Sequence, residues 1–349
     1  MPQEQIQRRR RKPSKTKLPS ISFSQTQSFN RCHWKWWMEY EEKWAPILAM
    51  PALRFGTLCH IALAKYYKPG RVRGPKPWLT FEREYAKECE RQESFGFRVG
   101  EDEKWMEAGE LGPAMLKHYV EHYSSGLAKI PDDEIEVVCT EKRFETIVPH
   151  PVSGNPWFRF VGVIDGIWRH IPAKRLYIVD HKTAASIRVQ YLALDPQSTG
   201  YWTYGVDWLI AKGIIGDEKI DGMIFNFLRK APKDERPTNV TGQHLNKDGS
   251  ISKQQPAPYF ARVPIMRDFE ERERLKNRMV VQFADVQRVS RGGIREAYKN
   301  PGQFTCPGCW LLDICELHEI GLDWQEMAEH TVREWEPYDP DVVYEMETR

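Results

Sequence analysis

Three strand-like runs stand in succession in the middle of the chain, and they restrict the fold more than any other feature. Residues 135–147, 157–169 and 176–180 are rich in β-branched and aromatic side chains, with Pro and Gly between the first two runs. Helical patterns flank them. Hydroxyl residues in 22–27 can cap a helix through Phe29, Cys32, Trp36 and Trp37. A second helix is expected over 54–67 and a loop over the Pro- and Gly-rich 69–77. Residues 80–125 read as mostly helical, with a break near Gly109–Pro113 and an apolar face of Leu116, Tyr119, Val120 and Tyr123. Downstream, Pro196 can open a helix that runs to Ile210, and 223–228 is a further strand. A long loop or hairpin extension follows over 231–258, then a long charged helix over 265–298 and a compact cysteine-bearing segment over 301–317. This order predicts an α/β layer arrangement with helical material around one sheet. At 349 residues and 41% hydrophobic, the chain can bury one large core with an inserted helical lobe. There is no internal repeat.

The strand at 176–183 reads Leu-Tyr-Ile-Val-Asp-His-Lys-Thr. Asp180 and Lys182 are two apart, so a strand puts both on one face. Asp165 interrupts the preceding apolar strand between Gly162 and Gly166. Two carboxylates from adjacent strands suit Mg²⁺ or Mn²⁺. Each motif also has an ordinary reading: an exposed ion pair for Asp180 and Lys182, a turn residue for Asp165. Gly56 and His60 are four apart on a predicted helix, as are Gln197 and Tyr201. His60 can complete a metal site or be a satisfied core histidine. Gln197 and Tyr201 can orient Lys182, bond a phosphate, or simply pack.

Taken in order, G-x-x-x-H, G-x-x-D, D-x-K-T and Q-x-x-x-Y resemble the RecB-like branch of the PD-(D/E)XK nucleases. The resemblance implies a restriction-endonuclease-like core, a central mixed sheet flanked by helices with a helical insertion. It implies metal ligation by His60, Asp165, Asp180 and the backbone carbonyl of His181. Catalytic roles fall on Asp165, Asp180, Lys182, Gln197 and Tyr201. Glu141 stands on the first strand where such proteins often carry another acid. Phosphodiester hydrolysis needs an activated water and neutralised phosphate charge, which one or two divalent ions supply, and a lysine adds fixed positive charge.

Cys306, Cys309 and Cys315 form C-x2-C-x5-C near the C-terminal end, and seven cysteines in an apparently cytosolic chain argue against disulfides. Zinc is one reading, with His318 as a further ligand. With Cys32 the pattern resembles the iron–sulfur subset of these nucleases, which includes AddB-type subunits and CRISPR-associated exonucleases. That implies a [4Fe–4S] cluster on Cys32, Cys306, Cys309 and Cys315, a staple between residues 274 positions apart. His33 stands where the family often has proline. Cys59, Cys89 and Cys139 show no partner pattern.

Charge marks the two ends. Residues 1–19 hold seven Lys or Arg and one acid, a basic arm suited to phosphate contacts or simply solvated. Residues 316–349 hold eleven acids and two basic residues. The expected organisation is a disordered arm over 1–20, one nuclease domain over 21–320 and an acidic tail over 321–349. Within the domain, 21–130 is helical, 131–230 is the catalytic core, 231–260 is the loop extension and 261–320 holds the C-terminal helix and cysteines. No run approaches the roughly 18 apolar residues of a membrane span, nor does the start resemble a secretory signal. The expectation is a cytoplasmic protein (host cytoplasm if phage-encoded). DNA is the expected partner, with a recombinase, helicase or single-strand-binding protein beside it. The expected activity is a deoxyribonuclease, an exonuclease on single strands or ends, in recombination, repair or phage DNA processing. The alternative is a non-catalytic DNA-binding scaffold.

Overall fold

The computed structural model describes residues 18–47, 50–126, 128–216 and 218–335. Most of the basic arm and the last part of the acidic tail therefore lie outside the described residues. The centre is a mixed sheet. β3 (Ile135–Pro149), β4 (Pro156–His170) and β5 (Arg175–Ala184) are antiparallel neighbours. β6 (Ile220–Arg229) runs parallel to β5, and β7 (Phe260–Met266) closes the edge antiparallel to β6. A short β1 (Ser20–Ser22) pairs in parallel with the first half of β4.

Helices cover both faces, as the β5 pattern requires, because its residues are buried alternately on each side. One face packs Ile178, Phe225 and Phe160 against α1 (Phe23–Arg31), α6 (Pro196–Gly200), α7 (Val206–Ala211) and α8 (Phe269–Gly292). The other packs Val179, Ile224 and Trp168 against α3 (Pro51–Tyr66), α4 (Pro77–Ser94) and α5 (Glu103–Ser124). Aspartates start three of these helices. Asp102 accepts from Trp105 N–H, Asp195 from Ser198 N–H and Asp268 from Glu271 N–H.

Several boundaries differ from the sequence reading. α5 runs unbroken through Gly109 and Pro113. Gly112 is there for space: a Cβ would sit 2.2 Å from the Phe81 ring of α4. The break falls earlier, near Gly96, which has φ 83°. The long charged helix begins at Phe269, because Ile265 and Met266 belong to β7. That strand tolerates Pro264 since it lies at the sheet edge, where one side of the backbone needs no ladder partner. The helix stops at Gly293, with φ 82°. The N-terminal helix breaks at Cys32, whose extended backbone separates α1 from α2 (His33–Trp36). A π-helical turn follows over Trp37–Glu41, and another, Tyr201–Gly205, joins α6 to α7.

Order also continues past residue 320. After α9 (Leu312–Glu319), α10 (Gln325–Thr331) leads into β8 (Val332–Glu334), which pairs with β2 (Trp44–Pro46). The first part of the expected acidic tail is thus part of the fold. Among the described residues no helix is long and apolar enough to cross a membrane.

Candidate active site and cysteine cluster

The site lies where β4 and β5 part. Their ladder ends at Gly166 opposite Val179. One residue further on, the Asp165 side chain takes over and its Oδ2 accepts the His181 N–H at 2.6 Å. Gly162 allows the helix after β5 to close in, since a Cβ there would lie 2.8 Å from the Tyr201 ring.

Period-two alternation divides the functional groups between the two faces. On the α3 face, His60 Nδ1 lies 3.4 Å from Asp165 Oδ2. Glu141 joins them, so that ligand atoms of His60, Glu141 and Asp165 all lie within 4.8 Å of one another. The β3 ladder passes from Thr140 opposite Gly166 to Lys142 opposite Ile164, leaving Glu141 across from Asp165. Its backbone is left-handed, with φ 45°. That conformation costs a non-glycine residue about 1–2 kcal/mol, and it accompanies the placement of Glu141 beside the histidine.

On the α6 face, Lys182 Nζ lies 2.8 Å from Asp180 Oδ2 and donates to Gln197 Oε1 at 2.6 Å. The Gln197 amide donates to the Tyr201 hydroxyl at 3.2 Å. Asp180 stands apart from the tight His60, Glu141 and Asp165 group. The His181 ring points to the α3 face, where its Nδ1 lies 2.8 Å from Asn226 Nδ2. Asn226 Nδ2 also donates to the Tyr119 hydroxyl at 2.9 Å, and the buried Arg262 guanidinium donates to Tyr119, Tyr67 and Asp132. A buried polar network therefore supports the strand from behind. Its individual members carry no motif that a sequence reading could have picked out.

The charges are strongly coupled. Burial pulls the His60 imidazole down, but Asp165, Glu141 and Asp180 outweigh it and raise it to about 9. Burial opposes ionisation of Asp165, yet His60 and the His181 N–H hold it at about 2. Burial lifts Asp180 to about 6, with Asp165 adding to the lift and Lys182 opposing it. Burial lowers His181 to about 3, so its ring is neutral. Lys182 is pulled down by burial but ends above the usual lysine range because Asp180 faces it. It is a fixed cation at neutral pH.

A donor set of carboxylates and one imidazole, buried at Asp165 and half-buried at His60 and Glu141, fits a hard divalent ion. The chain belongs to the PD-(D/E)XK nuclease superfamily, a superfamily of metal-dependent nucleases, whose family model matches residues 20–316. No curated protein matches the sequence.

The cysteine-bearing segments meet at the C-terminal end of α1. The Arg31 guanidinium donates to the Phe304 and Thr305 carbonyls at 3.2 and 2.8 Å, and the Asn300 amide donates to the Arg31 carbonyl. Trp310 Nε1 donates to Glu39 at 2.9 Å. These ties bring Cys32 near enough to the C-terminal cysteines to influence Cys309 and Cys315, without drawing any three sulfurs among the described residues within 4.8 Å of one another. Burial pushes the Cys315 thiol above its usual range, and the other three thiols add to the shift against the pull of Lys299. Lys299 Nζ lies 3.0 Å from His318 Nδ1. Cys59 and Cys139 are core residues, and Cys89 faces Trp105 Nε1 at 3.4 Å.

Proposed function

We propose that the protein is a metal-dependent deoxyribonuclease acting on single strands or DNA ends. The observation that carries this reading is Lys182, fixed between Asp180 and Gln197 on the strand whose His181 N–H is held by Asp165 of the His60, Glu141 and Asp165 group. His60, Glu141, Asp165 and Asp180 would hold one or two Mg²⁺ or Mn²⁺ ions, with the His181 carbonyl as a further ligand. Such ions supply the activated water and charge neutralisation that phosphodiester cleavage needs. Lys182 keeps its proton and presents an ammonium to charge growing on the phosphate. Gln197 and Tyr201 limit the directions that ammonium can take. Asp165 holds the β5 backbone through His181 N–H while facing the ligand group.

We assign Cys32, Cys306, Cys309 and Cys315 to a [4Fe–4S] cluster. Four thiols from segments already tied by Arg31 and Asn300 suit such a cluster. Its role is to staple the N-terminal helix to the C-terminal segment. A nuclease working on recombination, repair or phage DNA intermediates suits this build, with a helicase, recombinase or single-strand-binding protein supplying the strand.

The test is cleavage of end-labelled single- and double-stranded DNA, linear and circular, by anaerobically purified protein. Cleavage in Mg²⁺ or Mn²⁺ that is lost in EDTA and in Asp180→Ala is expected, and loss on circular forms identifies an end-dependent enzyme. DNA binding without cleavage in any metal overturns the enzyme reading in favour of a scaffold.

A further inference from the structure

A second cleft lies away from the carboxylates, between the last turns of α5 and the 231–258 extension. Its volume is about 540 Å³, within the roughly 300–1,000 Å³ of small-ligand sites. His118 and His122 are one turn apart on α5 and line the same wall. Phe260 backs both, its ring centroid 4.9 Å from His118 and 5.5 Å from His122. Tyr259 lies 4.9 Å from His118 on the other side. A third imidazole, His244, comes from the extension.

That extension is a built wall. Thr238 bridges His244 and Leu245 bridges Ile251. Gln255 accepts the His244 N–H at 2.8 Å and returns its amide to the His244 carbonyl at 3.0 Å.

The chemistry of the lining selects a ligand class. Burial, with Lys233 adding to it, lowers His118 to about 4, and burial also lowers His122. A neutral imidazole offers one donor and one acceptor nitrogen. The nearby cations are already paired, Lys233 with Glu121 at 3.2 Å and Arg236 with Asp234. A phosphate would have to displace those carboxylates. A flat, neutral ring with donors and acceptors on its edge would not.

The cleft also adjoins the catalytic strand. β6 ends at Arg229, the Lys230 N–H donates to the Ala184 carbonyl at 2.8 Å, and Ala184 is two residues past Lys182. The chain leaving the sheet beside the lysine becomes the wall of the cleft.

We propose that this cleft receives one unpaired nucleobase of the strand being cut, which rests on the nuclease reading above. It takes a base only from single-stranded DNA, because pairing occupies the Watson–Crick edge that would face His118 and His122.

Single-stranded oligonucleotides, each with one abasic site at a different position from the 5′ end, test this by their affinity for the full chain in EDTA. Affinity is expected to fall about tenfold at one register, the scale of one lost base-edge contact. The His118→Ala/His122→Ala variant should lose that dip, while His118→Gln, which keeps a donor and an acceptor, should retain most of it. Uniform affinity across the set in the wild type overturns the proposal, as does a dip that persists unchanged in the double variant. Cleavage of the intact oligonucleotide in Mn²⁺, compared with Asp180→Ala, reports on the nuclease reading separately. Cleavage without a dip rejects the cleft alone; a dip without cleavage rejects the nuclease alone.

Discussion

Lys182 Nζ lies 2.6 Å from Gln197 Oε1, a contact that ties β5 to the first turn of the following helix. Without it, Asp180 is the ammonium's remaining partner among the described residues. Displacing a reacting group by about 1 Å costs on the order of a hundredfold in rate. Gln197→Ala should therefore lower kcat by about that factor while leaving the metal concentration for half-maximal activity near the wild-type value. Lys182→Ala should abolish cleavage. A wild-type kcat in Gln197→Ala would remove Gln197 from the site.

Glu141 yields a test that separates strain from function. At φ 45° a glycine is unstrained and an alanine is not. In an ordinary strand Ala is the more stable of the two. Here Glu141→Gly should exceed Glu141→Ala by about 1 kcal/mol in denaturant unfolding, while both bind Mn²⁺ more weakly than the wild type. The usual order, Ala above Gly, would mean that the left-handed backbone is absent in solution.

Protons should move when metal binds. With His60 raised to about 9, the metal-free protein holds a proton there at pH 7. A metal ligand must be neutral imidazole, so binding expels that proton. Calorimetry of Mn²⁺ binding at pH 7, in buffers of different ionisation enthalpy, should report about one proton released. Affinity should climb with pH up to about 9 and flatten above it. In His60→Ala both the release and the slope between pH 7 and 9 should disappear; their survival would assign the proton elsewhere.

The cysteine assignment has an elemental readout. Anaerobically purified protein is expected to contain iron and sulfide, and Cys306→Ser and Cys32→Ser should each lose iron and unfold at lower temperature. Zinc in place of iron, retained in Cys32→Ser, would select the three-cysteine zinc reading.

What the sequence made legible follows from short periods. Two residues on a strand and four on a helix place side chains together, so Asp180 with Lys182 and Gln197 with Tyr201 could be paired before any fold was known. The mixed α/β architecture likewise follows from the order of runs. Less legible was anything set by distant packing. β7 was hidden because Pro264 and Arg262 disguise an edge strand. The continuity of α5 was hidden because Gly109 and Gly112 read as breakers, whereas they make room for Tyr85 and Phe81. Glu141 received the least weight of the acids because only the fold reveals that it faces Asp165. The network behind His181 draws Asn226, Tyr119, Arg262, Tyr67 and Asp132 from separate stretches of the chain, with no local pattern to announce it.

That network supports the last prediction. Arg262 is wholly buried, its guanidinium 2.6 Å from Asp132 Oδ1 and stacked 3.5 Å from the centre of the Tyr123 ring. Burial disfavours the Asp132 charge, but Arg262, with Arg73 and Tyr66, more than offsets this and holds it below the usual carboxylate range. Removing the arginine alone leaves a buried acid short of its main partner, so Arg262→Met should destabilise the protein by about 3–5 kcal/mol. Arg262→Met combined with Asp132→Leu should recover most of that loss, because the pair's attraction largely offsets its own desolvation. The pH profile should separate the variants too. A carboxylate with a depressed pKa contributes stability above its unfolded pKa, near 4, and loses it as pH falls through the folded value. Wild-type stability should therefore decline on acidification below about pH 4, and the double variant should decline less steeply. Equal stability of Arg262→Met and the double variant would show that Arg73, Tyr66 and Tyr67 satisfy Asp132 without Arg262.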